Sequence, residues 1–146
     1  MRTVRLPSAP AGELGYAMNE IPVVAAVIRR GSRVLLGRRP EHKRHGGLWE
    51  FPGGKVDEGE TDFRAVQREL AEELQLKTVA VGRVLFENRD PEAAFLIRFV
   101  EVEVEGDPTA FEHSDIGWFE PDTLRDLPLA PADASFVAHY LLASEG

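Results

Sequence analysis

Apolar and polar positions along the chain form patterns that predict several strands. The apolar, β-branched run 21–30, the turn at 31–32 and the run 33–39 predict a hairpin with a buried first strand. Residues 77–88 and 93–105 alternate in polarity, which predicts two further antiparallel strands. Shorter extended stretches are predicted at 49–51 and 116–119.

Helical periodicity follows a turn at residues 57–59. Thr61 suits the N-cap of a helix, and the apolar positions after it recur at helical spacing. The predicted apolar stripe of this helix comprises Phe63, Val66, Leu70 and Leu74. A helical turn at 121–125 and a second amphipathic helix at 131–143 are also predicted. Because helices are interspersed with strands, the order of elements predicts an α/β fold with a mixed sheet flanked by helices.

The length of 146 residues fits one domain that is large enough to bury a core. Residues 1–20 are rich in Pro, Ala and Gly and have no sustained period, so we expect an N-terminal extension before a single domain at 21–146. Such an extension would be ordered by docking onto the domain or onto a second subunit. A homodimer is therefore left open.

Charge and composition exclude several classes of partner. A net charge of −8 argues against binding to nucleic acid or to an anionic membrane. The absence of cysteine excludes disulfides, zinc–thiolate sites and thiol nucleophiles. No apolar run suits a signal peptide or a membrane span, so we expect a cytoplasmic protein.

Basic residues are concentrated in one stretch, whereas most acidic residues follow residue 56. The basic stretch contains Arg29, Arg30, Arg33, Arg38, Arg39, Lys43 and Arg44. A local basic patch that faces an acidic site suits a small polyanion better than a long duplex. His42 and His45 lie in the same stretch, and we expect them to be solvated loop residues.

An acidic cluster lies on the first predicted helix, after the glycine turn 53–54. Glu69, Glu72 and Glu73 have the spacing i, i+3 and i+4, so they share one helix face and repel one another unless a cation lies among them. Oxygen ligands beside a glycine-rich backbone suit Mg²⁺ or Mn²⁺ that holds a phosphate chain. Lys55 follows the turn and could bind a phosphate oxygen, and Arg68 is placed to pair with Glu72. An isolated helix with these charges is more typical of a solvated surface; the glycine turn and the basic loop favour the metal site.

The same segment resembles the Nudix box. Gly54 is followed after five residues by Glu60, after seven more by Arg68-Glu69-Leu70, and after one more by Glu72-Glu73. The tract LWEFPGGKVDEGET at 48–61 is similar to the MutT-like branch of the Nudix hydrolases. The resemblance covers about Val23 to Leu141. It implies the Nudix fold, a mixed β-sheet sandwiched between α-helices.

For function, the resemblance implies a Mg²⁺-dependent enzyme, with Mn²⁺ as a substitute, whose partner is a small-molecule nucleotide. Such an enzyme cleaves a nucleoside triphosphate to a monophosphate and pyrophosphate. One departure is Gln75, where the family usually has glycine. A left-handed helix cap with glutamine there is expected to cost roughly 1 kcal/mol.

The resemblance also implies roles for individual residues. Metal ligation or catalysis is implied for Gly54 (through its carbonyl), Arg68, Glu69, Glu72, Glu73 and Glu112. Substrate binding is implied for Arg39, Lys55 and Asp133. The alternative for Glu112 is an exposed loop acid, and the alternative for Arg39 is a surface charge at a strand end.

The tract 127–136, LPLAPADASF, resembles the region that reads the base in MutT-like enzymes, and 128–133 is similar to CTP pyrophosphohydrolases of that branch. An ionised Asp133 only accepts hydrogen bonds, which favours an amino group such as cytosine N4. A protonated Asp133 could read the mixed edge of 8-oxoguanine. The alternative is that Asp133 is the N-cap of the last helix. Aromatic candidates for stacking on a base, each more typical of the core, are Phe86, Phe95, Trp118 and Phe119.

Two other functions remain open. The same site could cleave another nucleoside diphosphate derivative, such as a dinucleoside polyphosphate or a nucleotide sugar. A Nudix module that binds nucleotides without turnover is the third reading, and it is disfavoured because the acidic cluster is complete.

Overall fold

The computed structural model describes residues 20–90 and 93–145, so the extension predicted at 1–20 lies outside the described residues except for Glu20. The strands are β1 (Ile21–Arg30), β2 (Arg33–Arg38), β3 (Trp49–Glu50), β4 (Gly53–Lys55), β5 (Lys77–Asp90), β6 (Phe95–Glu105) and β7 (Asp115–Phe119). The helices are α1 (Asp62–Leu74), a 3-10 helix (Pro121–Arg125), α2 (Pro131–Phe136), a π-helical turn (Val137–Leu141) and α3 (Leu142–Glu145). All predicted elements are present, and β4 is an addition that the polarity pattern does not predict.

The described strands form one mixed sheet. Its order is β3-β2-β1-β6-β5, with β4 paired to β1 and β7 paired to β2. Strands β1 and β6 run parallel over eight residue pairs, and the other pairings are antiparallel. The predicted hairpins β1–β2 and β5–β6 are confirmed, although β5 continues to Asp90, two residues beyond its predicted end.

Strand β1 separates two hydrophobic cores because its successive side chains point to opposite faces of the sheet. Val24, Ala26 and Ile28 pack with α1, whereas Ala25 and Val27 pack with the C-terminal helices. The first core also contains Leu35, Val66, Leu70, Leu74 and Val100. The second also contains Leu36, Phe51, Phe99, Phe136 and Leu141. The sheet is therefore sandwiched between helices, as predicted.

Helix α1 begins and ends at identifiable signals. The Thr61 hydroxyl accepts a hydrogen bond from the Arg64 backbone N–H at 3.1 Å, which confirms the predicted N-cap. Gln75 ends the helix at φ 57° and ψ 34°, so glutamine does adopt the left-handed cap. The predicted stripe is confirmed except for Phe63, which is 39% exposed. That position was wrong because Ala65 fills the buried place in the first turn.

The C-terminal segment forms the predicted amphipathic helix with one π-helical turn in its middle. Pro131 occupies the first helical position, where its missing N–H costs no hydrogen bond. Within residues 20–90 and 93–145, no helix is both long and apolar enough to cross a bilayer.

Candidate functional site

Arg68 organises the region where the glycine turn meets α1. Its guanidinium donates two hydrogen bonds to Glu60, at 2.8 and 2.9 Å, in the planar fork geometry that suits a carboxylate. It also donates to Glu69 at 3.1 Å and to the Lys55 carbonyl at 3.0 Å. The predicted pair with Glu72 is present at a longer 3.7 Å. The hydrogen bond from Arg68 is the main reason why the pKa of Glu60 falls to about 2.

The carboxylate of Glu69 lies directly against Gly54. A Cβ built at residue 54 would lie 2.3 Å from Glu69 Oε2, so only glycine leaves room for this contact. Strand β4 is held in place because Gly54 pairs with Val24 of β1. The turn therefore brings a backbone segment and a carboxylate to the same point, as the sequence predicted.

Glu73 is the most buried acid of the cluster, with 5% exposure. Burial raises the pKa of Glu73 to about 10, and a hydrogen bond with Glu69 and the charges of Glu69, Glu50 and Glu112 raise it further. Its Oε1 has no hydrogen-bond partner in the described part of the chain. This arrangement favours the protonated form of Glu73.

Glu112 approaches the cluster from a separate loop. The preceding residue, Phe111, donates its backbone N–H to the Glu73 carbonyl at 3.0 Å, which fastens the loop to the end of α1. Glu112 is exposed, as its alternative reading predicted, yet its charge acts on Glu73. The charges of Glu69 and Glu112 therefore both act on Glu73, although the three side chains do not converge as one set of ligands.

The donor set fits a hard divalent cation. It consists of carboxylate oxygens beside a glycine backbone, one of them buried without a partner. Among the described residues, no three Asp, Glu or His side chains already converge as a set of metal ligands. A bound cation would relieve the repulsion that protonation of Glu73 now relieves.

A cavity of about 380 Å³ is lined by the glycine turn that contacts Glu69. Gly54 and Lys55 line one part of it, and Asp133 lines another. Phe95 also lines it, with the Lys55 ammonium 5.6 Å from the ring centroid. Arg39 lines the wall, so it is more than a surface charge at a strand end. All three predicted substrate-binding residues therefore share one cavity.

Asp133 is buried in the cavity wall, with 7% exposure. Burial raises its pKa well above the usual range, and the charge of Glu50 raises it further, against a hydrogen bond from the Phe51 backbone and the charge of Arg39. The N-cap alternative for Asp133 is wrong because Ala130 occupies that position and Asp133 lies inside the first helical turn.

Arg39 is held in the cavity wall by neighbours that the sequence did not single out. Its Nη1 donates to Glu50 at 3.0 Å, and its Nε donates to the Arg44 carbonyl at 2.6 Å. The other oxygen of Glu50 lies 3.0 Å from Nε2 of His113, whose side chain is only 4% exposed. Glu50 and His113 were missed in the sequence analysis. Both lie in short segments without periodicity, and their only signal was their position beside Phe51 and Glu112.

The predicted single basic patch is wrong in its extent. Strand β2 places Arg33 roughly 20 Å from Arg39, because six residues of strand each rise about 3.3 Å. Arg33 pairs with Glu120, and Arg30 pairs with Asp107 and lies 4.8 Å from the Trp118 ring centroid. The cavity is lined by the other end of the stretch: Arg39, Arg44 and His45.

Two smaller expectations are settled by the same cavity. His45 was expected to be solvated but lines the wall, with a φ of 60° that turns the loop there, whereas His42 is exposed. Phe95 is a lining residue, whereas Phe86 packs edge-on against Phe99 in the core.

Comparison with known proteins agrees with this geometry. The model of the NUDIX domain matches residues 19–140. A CTP pyrophosphohydrolase from Escherichia coli is 35% identical over 127 residues, which cover 85% of this chain and 93% of the relative. An 8-oxo-dGTP diphosphatase from Haemophilus influenzae is 35% identical over 128 residues, covering 84% and 91%.

Solved structures give the same result. The crystal structure of a MutT NUDIX hydrolase from Burkholderia pseudomallei is 30% identical, covers 82% of this chain and 96% of its own, and superposes with a TM-score of 0.70. Together with the match over most of the chain, this similarity shows that the protein belongs to the NUDIX domain family, as a MutT-like Nudix hydrolase.

Proposed function

We propose that the protein is a Mg²⁺-dependent nucleoside triphosphate pyrophosphohydrolase that releases a nucleoside monophosphate and pyrophosphate. The observation that carries the proposal is one cavity that is lined by Gly54, which lies against Glu69 of α1, by Lys55 and by the buried Asp133. Its volume of about 380 Å³ lies within the usual range of pockets that bind small molecules. Relatives named for CTP and 8-oxo-dGTP support a nucleotide as substrate.

The residues of the acidic face would hold the cation. We assign this role to the Gly54 carbonyl and to Glu69, Glu72, Glu73 and Glu112. When bound, Mg²⁺ supplies charge neutralisation on the phosphate chain and makes a water molecule more acidic. Arg68 keeps Glu69 in place from behind, through the fork that it forms with Glu60.

The remaining chemistry is positioning and proton transfer. Arg39 and Lys55 present positive charge to the phosphate chain from the cavity wall. One carboxylate of the acidic face accepts the proton of the attacking water. The water oxygen forms a bond to a phosphorus atom of the chain as the phosphoric anhydride bond breaks, and the nucleoside monophosphate and pyrophosphate are released. These steps need little beyond orientation and charge stabilisation.

Asp133 reads the edge of the base in this proposal. Burial raises the pKa of Asp133, which favours the protonated carboxyl, and a protonated carboxyl can both donate and accept a hydrogen bond. This state suits the mixed edge of an oxidised purine, whereas the ionised state suits the amino group of cytosine. Burial therefore favours the oxidised purine, and the similarity to a CTP pyrophosphohydrolase favours cytosine.

A panel of substrates tests the proposal. Wild type, Glu73→Gln and, as control, Glu103→Gln on the exposed face of β6 are incubated with Mg²⁺ and CTP, dCTP, GTP, dGTP, 8-oxo-dGTP, a dinucleoside polyphosphate or a nucleotide sugar, and the released products are measured. We expect pyrophosphate from at least one triphosphate with wild type and the control. If only dinucleoside polyphosphates or nucleotide sugars are cleaved, the protein is a hydrolase of those compounds and the proposal is wrong. Nucleotide binding without any product would indicate a binding module.

A further inference from the structure

Glu50 links two residues that come from distant parts of the chain. One of its carboxylate oxygens accepts a hydrogen bond from Arg39, and the other lies at hydrogen-bond distance from His113, each at 3.0 Å. Glu50 lies in the two-residue strand β3, where it pairs with Gly37 of β2. Both oxygens of this carboxylate are thus committed within the protein.

His113 occupies a place that the backbone prepares for it. A Cβ built at Gly37 would lie 2.5 Å from Cγ of the His113 ring, so the ring lies against bare backbone. The neighbouring Ser114 donates its N–H to the Arg38 carbonyl at 2.9 Å. This ring position leaves Nε2 of His113 facing Glu50, at 3.0 Å.

The consequence is a fixed guanidinium at Arg39. Nε is bound by the Arg44 carbonyl and Nη1 by Glu50, whereas Nη2 has no partner among the described residues. An arginine fixed on one edge can offer the other to a phosphate oxygen with little further loss of side-chain entropy. The same loop carries Glu112 towards Glu73, so one segment contacts both ends of the site.

We propose that His113, through Glu50, is a positioning residue that holds Arg39 ready for the phosphate chain of the substrate. The inference deepens the proposed function and rests on it for the role of Arg39. His113 itself need not touch the substrate. Gly37 takes part as well, because it gives the imidazole ring its space.

The first test observes Arg39 directly and needs no turnover. In the ¹⁵N-labelled protein, the Nη–H signal of Arg39, whose Nη1 donates to Glu50, is identified by its loss in Arg39→Lys. We expect a slowly exchanging signal in wild type and in His113→Gln, which keeps a donor towards Glu50. It should broaden or exchange rapidly in His113→Phe and also in Gly37→Ala, which displaces the ring. His139→Phe, at an exposed histidine, is the control.

The second test is kinetic, with CTP and 8-oxo-dGTP as probes in Mg²⁺. Losing the orientation of one phosphate-binding arginine should raise KM by about tenfold in His113→Phe while kcat changes by less than about twofold. His113→Gln should recover most of the loss. In the Arg39→Ala background, His113→Phe should cause no further rise in KM, because His113 acts on the substrate only through Arg39.

Three results would overturn the inference: an unprotected Arg39 signal in wild type, an unchanged signal in both His113→Phe and Gly37→Ala, or equal kinetic losses from His113→Phe with and without Arg39. The spectroscopic test does not depend on catalysis. It therefore decides whether His113 positions Arg39 even if the proposed enzymatic function is wrong.

Discussion

The two ends of the candidate site are built in different ways. The acidic end takes most of its residues from one continuous segment, between Gly54 and Glu73. The other end is assembled from Arg39, Glu50 and Asp133, which meet only because β2, β3 and α2 converge. A site on one compact segment of turn and helix can therefore be recognised from the sequence alone. A binding wall assembled from separate segments can be recognised only once the whole fold is known.

The two ends also differ in how their charges are balanced. Around Glu73 the charges are acidic, and the guanidinium of Arg68 is directed mainly to Glu60. At the other end, Arg39 and Glu50 already pair with each other, and Glu50 also contacts His113. The acidic end thus gains most from binding an external cation, whereas the other end is organised before a ligand arrives.

The largest expected effect comes from removing one acid at the crowded end. Glu73→Gln should lower kcat/KM by at least about 100-fold, the usual size of a lost proton-transfer or metal-binding carboxylate. Pyrophosphate release from the best substrate of the panel provides the measurement. Retention of more than a tenth of wild-type activity would contradict the role of Glu73.

The same variant should be more stable than wild type in EDTA at neutral pH. The pKa of Glu73 is raised from 4.5 to about 10 in the folded protein, so its stabilising contribution is full below about pH 4.5 and is lost as pH rises towards 10. The advantage of the glutamine variant should therefore grow over this interval. Thermal unfolding at several pH values in EDTA measures it, and equal slopes for both proteins would contradict the expectation.

At the other end, Asp133→Asn should change which base is preferred. One altered hydrogen bond to a base edge is worth roughly 1–3 kcal/mol, so the ratio of kcat/KM between CTP and 8-oxo-dGTP should change at least about fivefold. An unchanged ratio would remove Asp133 from base recognition.

Asp133→Asn should also raise Tm near pH 7. Burial raises the pKa of Asp133, so its stabilising contribution is present below its ordinary pKa of 3.8 and is lost as pH rises. The difference in Tm between variant and wild type should therefore shrink as pH approaches 4. A variant less stable than wild type at pH 7 would show that the carboxylate is better accommodated than its burial indicates.

The network of Arg68 and Glu60 should matter in acid. The pKa of Glu60 is lowered from 4.5 to about 2, so its contribution to stability is present above about pH 4.5 and is lost as pH falls towards 2. Glu60→Gln should remove this part of the acid sensitivity of Tm. Glu58→Gln, at a neighbouring exposed acid, should leave it intact. Identical curves for Glu60→Gln and wild type would contradict the assignment.

The smallest expected effect lies at the cap of α1. Gln75 adopts φ 57°, which glycine tolerates better by roughly 1 kcal/mol. Gln75→Gly should raise Tm by about 2–4 °C for a domain of this size, without changing kcat. A lower Tm would mean that the glutamine side chain contributes more than its backbone conformation costs.

Sequence reasoning succeeded where the physics is local. The alternation in β1, the Thr61 cap and the apolar stripe of α1 each follow from neighbours within one or two turns, and the structure confirms them except for Phe63. The spacing of Glu69, Glu72 and Glu73 is equally local, and their joint role at a cation stays a prediction. The Nudix resemblance rests on this same local segment.

It failed where the outcome depends on pairing between distant segments. The basic stretch was expected to act together, but the length of β2 separates its two ends. Glu50 and His113 carry no periodic signal, because their position is set by the pairing of β3 with β2 and by the space above Gly37. The burial of Asp133 likewise depends on how α2 docks against the cavity.

Binding of Mn²⁺ to the full-length protein, measured by electron paramagnetic resonance with and without nucleotide, tests the central claim most directly. We predict that wild type and Glu103→Gln bind Mn²⁺, that Glu72→Gln and Glu73→Gln weaken binding at least about tenfold, and that nucleotide tightens it in wild type. Equal Mn²⁺ binding by wild type and both acidic-face variants would show that the acids of α1 are not a cation site.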